Sequence, residues 1–281
     1  MSRPLKLMLA AASLAAAGAV TDGSAAQAAE RVTIQRNGWV LAALLYRPAG
    51  PGPFPAVVGL HGCDGVITAG GKVGANYVDW GERLAAAGFL VLLPDSFGSR
   101  GLGSQCRASE RRVRAFVERV ADAQAARQWL QRQSFVIKDR VSLLGWSNGA
   151  IATLWAVRPQ AGPQDGLPDF RTAVAFYPGC SSVAKAGWSA RVPTLVLLGQ
   201  ADDWTPAGPC EQMVAAAQGR DAIAEVVMYP GAYHAFDRAD FPLRELSGLR
   251  YSGNRTGKAH VGTDEAARAD VLKRVPEWLA R

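Results

Sequence analysis

Short apolar runs alternate with segments of helical spacing, and this alternation limits the fold more than any other feature of the chain. Runs of four or five mostly apolar residues occur at 56–60, 89–93, 140–144, 173–176, 194–198 and 225–228. Helical spacing appears at 77–87, 109–133, 151–157, 210–218 and 264–279. Apolar strands that alternate with helices are typical of a mostly parallel sheet with helices on both faces. The sequence therefore predicts an α/β fold.

The first strands are predicted to differ from the rest. Residues 32–36 and 39–46 alternate apolar and polar side chains on either side of Asn37 and Gly38. An Asn-Gly pair suits a type I′ turn, so we expect an N-terminal antiparallel hairpin at one edge of the sheet. Because no internal repeat or linker is present, a single domain is predicted over residues 29–281.

The N-terminal segment has the layout of a secretory signal. Arg3 and Lys6 precede an apolar stretch at residues 7–20, and Ala26-Gln27-Ala28 forms an A-x-A cleavage site. These features predict a signal peptide over residues 1–28 and export to the periplasm or the medium. The alternative is a retained anchor, although the stretch is short for a membrane span.

Composition excludes several classes of protein and partner. Hydrophobic residues make up 49% of the chain and charged residues 20%, which is the balance of a globular protein rather than a disordered one. The net charge is +7, but the basic residues are dispersed, which does not indicate a nucleic-acid site. We therefore expect a small-molecule partner, with no nucleic acid and no membrane once the signal is removed.

Export changes the interpretation of the four cysteines. An even number of cysteines in an oxidising compartment favours disulfides. We expect Cys63–Cys106 and Cys180–Cys210, because the predicted fold brings the loops of each pair together. The alternative is that one or both pairs stay reduced. With no C-x-x-C pattern and three histidines, the sequence implies no metal, and nothing in it implies an organic cofactor.

A glycine-flanked serine comes directly after the third buried strand. Gly145, Ser147 and Gly149 form a Gly-x-Ser-x-Gly pattern between the strand at 140–144 and the helix at 151–157. In that setting the pattern predicts a nucleophile elbow, with glycines that permit a tight turn and a serine hydroxyl raised above the sheet. The alternative is an ordinary glycine-rich turn.

A serine nucleophile needs a base and an acid that orients it. His234 comes after the strand at 225–228, whereas His260 is expected on the surface. Asp202 and Asp203 both come after the strand at 194–198, between serine and histidine in chain order. The spacing favours Asp202 as the acid and leaves Asp203 as a solvated or capping carboxylate.

Two backbone N–H groups are needed to stabilise an oxyanion. The first candidate is Asn148, the residue after the serine. The second is Cys63, in the loop His61-Gly62-Cys63-Asp64-Gly65 after the strand at 56–60. Trp146 and Trp204 flank the predicted catalytic positions, so we expect them to shape an apolar acyl site.

Together these segments resemble the α/β-hydrolase superfamily and, more narrowly, the dienelactone hydrolase family. The resemblance runs from Arg31 to the C-terminus and implies the α/β-hydrolase fold. It is carried by residues 61–65, residues 94–101, the elbow at Ser147, the pattern Gly199-x-x-Asp202-x-x-x-Pro206 and residues 233–236. The pattern that contains Asp202 also supports this residue as the acid.

The chain departs from the family at two positions. Characterised members use a cysteine nucleophile where this chain has Ser147, and they carry an acid near the position of Gly62. Asp64 is close to that position, but we expect it to point elsewhere. The family also binds a substrate carboxylate with two arginines, whose places are taken here by Arg238 and, offset by about one residue, Arg100. The alternative for both arginines is plain surface charge.

The sequence thus predicts an exported serine hydrolase that acts on carboxylic esters or lactones through an acyl-enzyme. The first alternative is a lactonase of the dienelactone type. The second is a non-catalytic binding protein on a hydrolase fold, which the complete set of serine, histidine and aspartate disfavours.

Overall fold

The computed structural model describes residue 1, residues 29–36 and residues 38–281, and its main feature is an eight-stranded sheet. Its strands are β1 (Glu30–Arg36), β2 (Trp39–Tyr46), β3 (Phe54–Leu60), β4 (Leu90–Pro94), β5 (Val136–Trp146), β6 (Ala173–Phe176), β7 (Thr194–Gly199) and β8 (Ala224–Tyr229). Their spatial order is β1-β2-β4-β3-β5-β6-β7-β8. β2 pairs antiparallel with β1 and β4, and all later neighbours are parallel.

Helices cover both faces of the sheet. They are α1 (Ala75–Ala86), α2 (Glu118–Gln131), α3 (Asn148–Ala156), α4 (Ser181–Lys185), α5 (Gly208–Ala217) and α6 (Glu265–Leu279). α1 and α6 pack on one face, whereas α2, α3 and α5 pack on the other. Successive residues of a strand point to opposite faces, so Val57 and Val58 belong to different cores. The predicted α/β-hydrolase architecture is confirmed.

Among the described helices, none has the length and apolar character that crossing a membrane requires.

The N-terminal hairpin is also confirmed. β1 and β2 pair in register from Glu30 opposite Leu45 to Arg36 opposite Trp39. Gly38 adopts a positive φ of 83°, which glycine tolerates without cost. Asn37 and the predicted signal peptide, apart from Met1, lie outside the described residues.

The predicted helix at 109–133 is wrong at its start, because α2 begins only at Glu118. The segment before it is held in another path. Gln105 N–H donates to the carbonyl of Cys63 at 2.7 Å, and Arg114 N–H donates to the Glu118 carboxylate at 2.7 Å. These bonds favour a turn over a continuous helix. A second difference is a small sheet of β9 (Arg244–Leu246) and β10 (Ala259–Val261), which the sequence did not indicate.

The strand order determines where the loops meet. From β3 the chain passes to β4 on one side and later returns to β5 on the other side. Such a reversal opens a crevice at the carboxyl ends of the strands. The loop after β3, the turn after β5 and the loops after β7 and β8 all end at this edge. They carry Cys63, Ser147, Asp202 and His234 respectively.

All four cysteines are paired, in the predicted combination. Cys63 is bonded to Cys106, and Cys180 to Cys210, across sequence separations of 43 and 30 residues. The first bond ties the loop after β3 to the segment that precedes α2. The second joins the N-terminus of α4 to α5.

Candidate active site

Ser147 lies in a tight turn between β5 and α3. Its φ of 53° and ψ of −114° are rare for a residue with a side chain. The turn depends on glycine at both flanks. A Cβ on Gly145 would lie 2.5 Å from the carbonyl oxygen of Gly149, and a Cβ on Gly149 would lie 1.9 Å from that of Leu60. The first turn of α3 therefore packs directly against the end of β3, as a nucleophile elbow requires.

The structure brings Ser147, His234 and Asp202 into one hydrogen-bonded series. Ser147 Oγ lies 3.0 Å from His234 Nε2, and His234 Nδ1 lies 2.8 Å from Asp202 Oδ2. Because Nδ1 faces a carboxylate, it carries the ring proton, which leaves Nε2 free to accept from the serine. His234 is 3% exposed and Asp202 is 5% exposed. Such a series can transfer a proton away from a serine hydroxyl that attacks a carbonyl carbon.

Backbone and side-chain donors fix the Asp202 carboxylate. Its Oδ1 accepts the N–H groups of Trp204 at 2.9 Å and Thr205 at 2.8 Å. The Thr205 hydroxyl donates to Oδ2 at 2.9 Å. These bonds leave the carboxylate one orientation, in which Oδ2 faces the histidine.

The neighbouring carboxylate has a separate partner. Asp203 accepts the backbone N–H of His260 and approaches its Nδ1, both at 2.8 Å. Asp203 is a partly exposed loop carboxylate, as the sequence suggested, but it also binds a specific partner. His260, expected on the surface, lies on β10 with 38% of its side chain exposed. The next residue on that strand, Val261, forms a β-bridge with His234.

Of the two predicted oxyanion donors, Asn148 follows Ser147 directly in the chain and Cys63 lines the same pocket as Ser147. Asn148 is the first residue of α3, where a backbone N–H has no partner inside the helix. Its side-chain oxygen accepts from Arg119 at 2.8 Å. Cys63 and its disulfide partner Cys106 both line the pocket above Ser147.

Asp64 points into the pocket, against expectation. Its carboxylate accepts from Arg238 at 2.7 Å and from the Tyr77 hydroxyl at 2.9 Å. Burial and the Asp64 charge raise the pKa of Tyr77 well above its usual value, so the phenol stays a neutral donor. Burial opposes protonation of Arg238, but the Asp64 carboxylate outweighs it and raises the pKa of the arginine. The acid two positions after Gly62 therefore forms an ion pair at the pocket wall.

The pocket above Ser147 has a volume of about 220 Å³. Trp146, Trp204 and Arg238 line it, and the Trp204 ring lies 4.7 Å from the His234 ring. Arg107 and Arg244 also line it, and the sequence did not single them out. Three arginines against one aspartate give the pocket wall a positive excess. In the described part of the chain, no group of three or more His, Cys, Asp or Glu residues is placed to hold a metal ion.

Arg100 does not reach this pocket. Both of its terminal nitrogens donate to the Asp122 carboxylate at 2.9 Å, and Nη1 also donates to Ser96 O at 2.7 Å. Its guanidinium stacks over the Trp39 ring at 4.3 Å. Because the Asp122 side chain is fully buried, its carboxylate needs this cation, which turns Arg100 away from the substrate side.

Asp237 is a buried carboxylate that the sequence did not reveal. Three neutral donors reach it: Trp80 Nε1 at 2.7 Å, Trp146 Nε1 at 3.0 Å and the Tyr177 hydroxyl at 2.7 Å. The Tyr177 ring in turn lies 4.4 Å from the His234 ring. Asp237 thus joins α1, the elbow and the loop after β6 to the histidine loop. Only its position three residues after His234 could have hinted at this role.

A family model matches most of the chain. The sequence model described as the dienelactone hydrolase family matches residues 41–281. A putative carboxymethylenebutenolidase of Yersinia pestis is 27% identical over 226 residues, which span 74% of this chain and 78% of that protein. A probable 2-oxo-3-(5-oxofuran-2-ylidene)propanoate lactonase of a Bradyrhizobium species is 27% identical over 73% of this chain and 82% of its own length. The crystal structure of a putative dienelactone hydrolase from Klebsiella pneumoniae superposes with a TM-score of 0.66 at 22% identity, covering 90% of this chain and 98% of that one.

Replacing Asp237 by asparagine is expected to destabilise the fold by about 1–3 kcal/mol. The indoles of Trp80 and Trp146 can only donate, so the amide NH₂ would have to replace the oxygen that accepts from Tyr177, and the tyrosine hydroxyl would lose its carboxylate acceptor. Urea unfolding monitored by tryptophan fluorescence measures the change. Asp240→Asn is the matched control, because Asp240 is an exposed carboxylate in the same loop. Equal unfolding midpoints for the two variants would contradict the role given to Asp237.

Proposed function

The chain belongs to the dienelactone hydrolase family, and we propose that it is a serine hydrolase that cleaves carboxylic esters or lactones through an acyl-enzyme. The observation that carries the proposal is the series from Ser147 through His234 to Asp202, with contacts of 3.0 and 2.8 Å. Its buried, hydrogen-bonded carboxylate has no evident use in a module that only binds ligands.

The proposed reaction begins with attack of Ser147 Oγ on the ester carbonyl, while His234 Nε2 takes the hydroxyl proton. The carbonyl oxygen becomes an oxyanion, which the N–H groups of Cys63 and Asn148 stabilise. His234 then gives its proton to the departing alcohol, which leaves an acyl-enzyme on Ser147. Water enters, His234 removes its proton, and collapse of the second tetrahedral intermediate frees the acid and restores the serine.

Asp202 holds the imidazole in the tautomer with the proton on Nδ1 and stabilises the imidazolium that forms in each step. The donors on Asp202 support this role, because they stop the carboxylate from turning away from the ring. Ser147 Oγ already lies 3.0 Å from His234 Nε2. The site is therefore organised before substrate arrives, which lowers the cost of reaching the transition state.

Ser147→Ala should lower kcat for 4-nitrophenyl butyrate by about 10⁴-fold or more, because water alone would then have to attack the carbonyl. A phosphorylating reagent such as paraoxon should label Ser147 in the wild type, as peptide mass spectrometry can verify. Ser181→Ala is the control, since Ser181 lies exposed on α4. Turnover that survives in folded Ser147→Ala, or a wild type without turnover on any ester or lactone, would overturn the proposal.

The second candidate is a lactonase whose substrate carries a carboxylate, and the arginines of the pocket wall favour it. Arg238 is already paired with Asp64, whereas Arg107 and Arg244 face the pocket from the segment after Cys106 and from β9. Guanidinium groups suit a substrate carboxylate, because they can donate two parallel hydrogen bonds to it. Two relatives whose names describe a butenolidase and a lactonase support the same candidate function.

Arg244→Ala should raise KM for the mono-4-nitrophenyl ester of succinic acid by about 2-fold to 5-fold, as expected for the loss of one exposed ion pair. KM for neutral 4-nitrophenyl butyrate should stay the same, because that substrate lacks the charge. Steady-state kinetics on both esters measures the difference between the two changes in KM. Arg250→Ala is the control, because Arg250 is exposed in the same segment but does not line the pocket. A parallel rise in KM for both esters would refute a carboxylate subsite at Arg244.

We further propose that residues 29–281 form one catalytic domain, exported after removal of residues 1–28. The two disulfides support export, because such bonds persist in oxidising compartments. Expressed in full in a Gram-negative host, the protein should appear in the periplasm with its N-terminus at Ala29 and all thiols blocked. N-terminal sequencing and thiol titration measure both. A chain that starts at residue 29 should stay in the cytoplasm, and an uncleaved full-length chain would contradict the proposal.

A further inference from the structure

Arg119 of α2 is a fully buried arginine without a carboxylate of its own. Its Nη1 donates to Asn148 Oδ1 at 2.8 Å. Its Nε and Nη2 are buried and have no hydrogen-bond partner among the described residues. Asp122, one turn further along α2, is already bound by both terminal nitrogens of Arg100. A buried cation with no carboxylate hydrogen-bonded to it is costly, so its position calls for a functional explanation.

The guanidinium of Arg119 contacts Asn148 directly and the loop after β3 through intervening rings. On one side it binds Asn148, the residue after the nucleophile. On the other side it lies over the Phe97 ring at 5.3 Å, and that ring packs edge-on against His61 at 4.6 Å. His61 Nδ1 donates to the carbonyl of Gly62 at 2.8 Å, directly before Cys63. Contacts therefore run from Arg119 to both halves of the oxyanion site.

Arg119 keeps its positive charge at neutral pH. Burial lowers its pKa to about 10, and the neighbouring Asp122 carboxylate opposes that shift. The charge also reaches the loop after β3. Burial and, after it, the Arg119 charge lower the pKa of His61 well below its usual value. His61 therefore stays neutral, and its Nε2 accepts the N–H of Ser96 at 3.2 Å.

A second buried arginine on the same helix has the partners expected of a purely structural cation. Arg127, eight residues further along α2, donates to the Asp165 carboxylate at 2.6 Å and to Gln131 and Gln124 at 2.9 Å. Its charge is thus balanced, and it contacts no residue of the site. Both arginines lie on α2 and are fully buried. Arg127 is hydrogen-bonded to a carboxylate, whereas Arg119 is hydrogen-bonded to the side-chain amide of Asn148.

We propose that Arg119 is a positioning residue for the oxyanion site, where it holds Asn148 and places a fixed positive charge behind the N–H donors of Asn148 and Cys63. The inference rests on the proposed function, with Ser147 as the nucleophile. An oxyanion exists in the tetrahedral intermediate but not in the bound ester. The cation therefore stabilises the transition state more than the substrate complex, and its loss lowers kcat without raising KM.

The test compares Arg119→Met, Arg119→Gln and Arg127→Met in the mature protein. Arg119→Met removes both hydrogen bond and charge, and we expect kcat for 4-nitrophenyl butyrate to fall about 10-fold to 100-fold with KM within about twofold of the wild type. Arg119→Gln keeps a donor for Asn148 but not the charge, so its loss is smaller. Arg127→Met leaves kcat unchanged, although thermal unfolding reports a lower midpoint because Asp165 loses its ion-pair partner.

Phenylboronic acid separates an electrostatic role from a general loosening of the site. It binds as a tetrahedral anion on the nucleophile, as the oxyanion intermediate does. Its inhibition constant should rise in Arg119→Met by the same factor by which kcat falls, while KM for the neutral ester stays level. A purely structural defect would raise KM and weaken all ligands together. If the Met variant does not fold, Arg119→Gln decides by the same two measurements.

Three results would overturn the inference. They are an Arg119 variant with wild-type kcat, an equal fall in kcat for Arg127→Met, and a fall in kcat without weaker boronate binding. Failure of the proposed function is distinguishable, because Ser147→Ala would then retain activity. An inactive Ser147→Ala beside a fully active Arg119→Met refutes only the role of Arg119.

Discussion

The backbone contact between Gly149 and the end of β3 determines the geometry of the whole site. A Cβ at Gly149 would lie 1.9 Å from the Leu60 carbonyl oxygen, so helix α3 can reach this position only with glycine there. The contact fixes the direction of α3 and, through it, the positive φ of Ser147. It also sets the separation between the elbow and the loop after β3. The donors of the proposed oxyanion site, Asn148 and Cys63, are carried by those two segments, so one close approach of backbone aligns nucleophile and donors together.

Buried polar groups then hold the elbow from both faces of the sheet. On the face covered by α1 and α6, the Asp237 carboxylate accepts hydrogen bonds from Trp80, Trp146 and Tyr177. On the other face, Arg119 reaches Asn148 from α2. The apolar cores supply most of the driving force for folding, but they impose little direction. Hydrogen bonds to one anion and one cation supply that direction, and they do so beside Ser147, where a shift of a few tenths of an ångström matters for the reaction.

The features that depend on strand order were predictable from the sequence, whereas contacts between distant segments were not. The apolar runs predicted the sheet, and chain order predicted that Ser147, Asp202 and His234 would meet, because residues that leave parallel strands meet at one edge. The two disulfides were predicted on the same grounds. The orientation of Asp64 toward Arg238, the capture of Arg100 by Asp122 and the late start of α2 were not foreseeable, because each depends on which of several charged partners lies nearest in space. Asp237 and Arg119 look like surface residues in the sequence, and only burial distinguishes them.

The pairing of the cysteines has a consequence for biosynthesis. Each cysteine is bonded to its nearest neighbour in chain order, Cys63 to Cys106 and Cys180 to Cys210. During the proposed export, an N-terminus-first passage delivers both members of the first pair before either member of the second. An oxidase that joins cysteines in order of arrival would therefore produce the native pattern without error. On that proposal the exported chain would need an oxidant on the far side of the membrane, but no isomerase to correct crossed bonds.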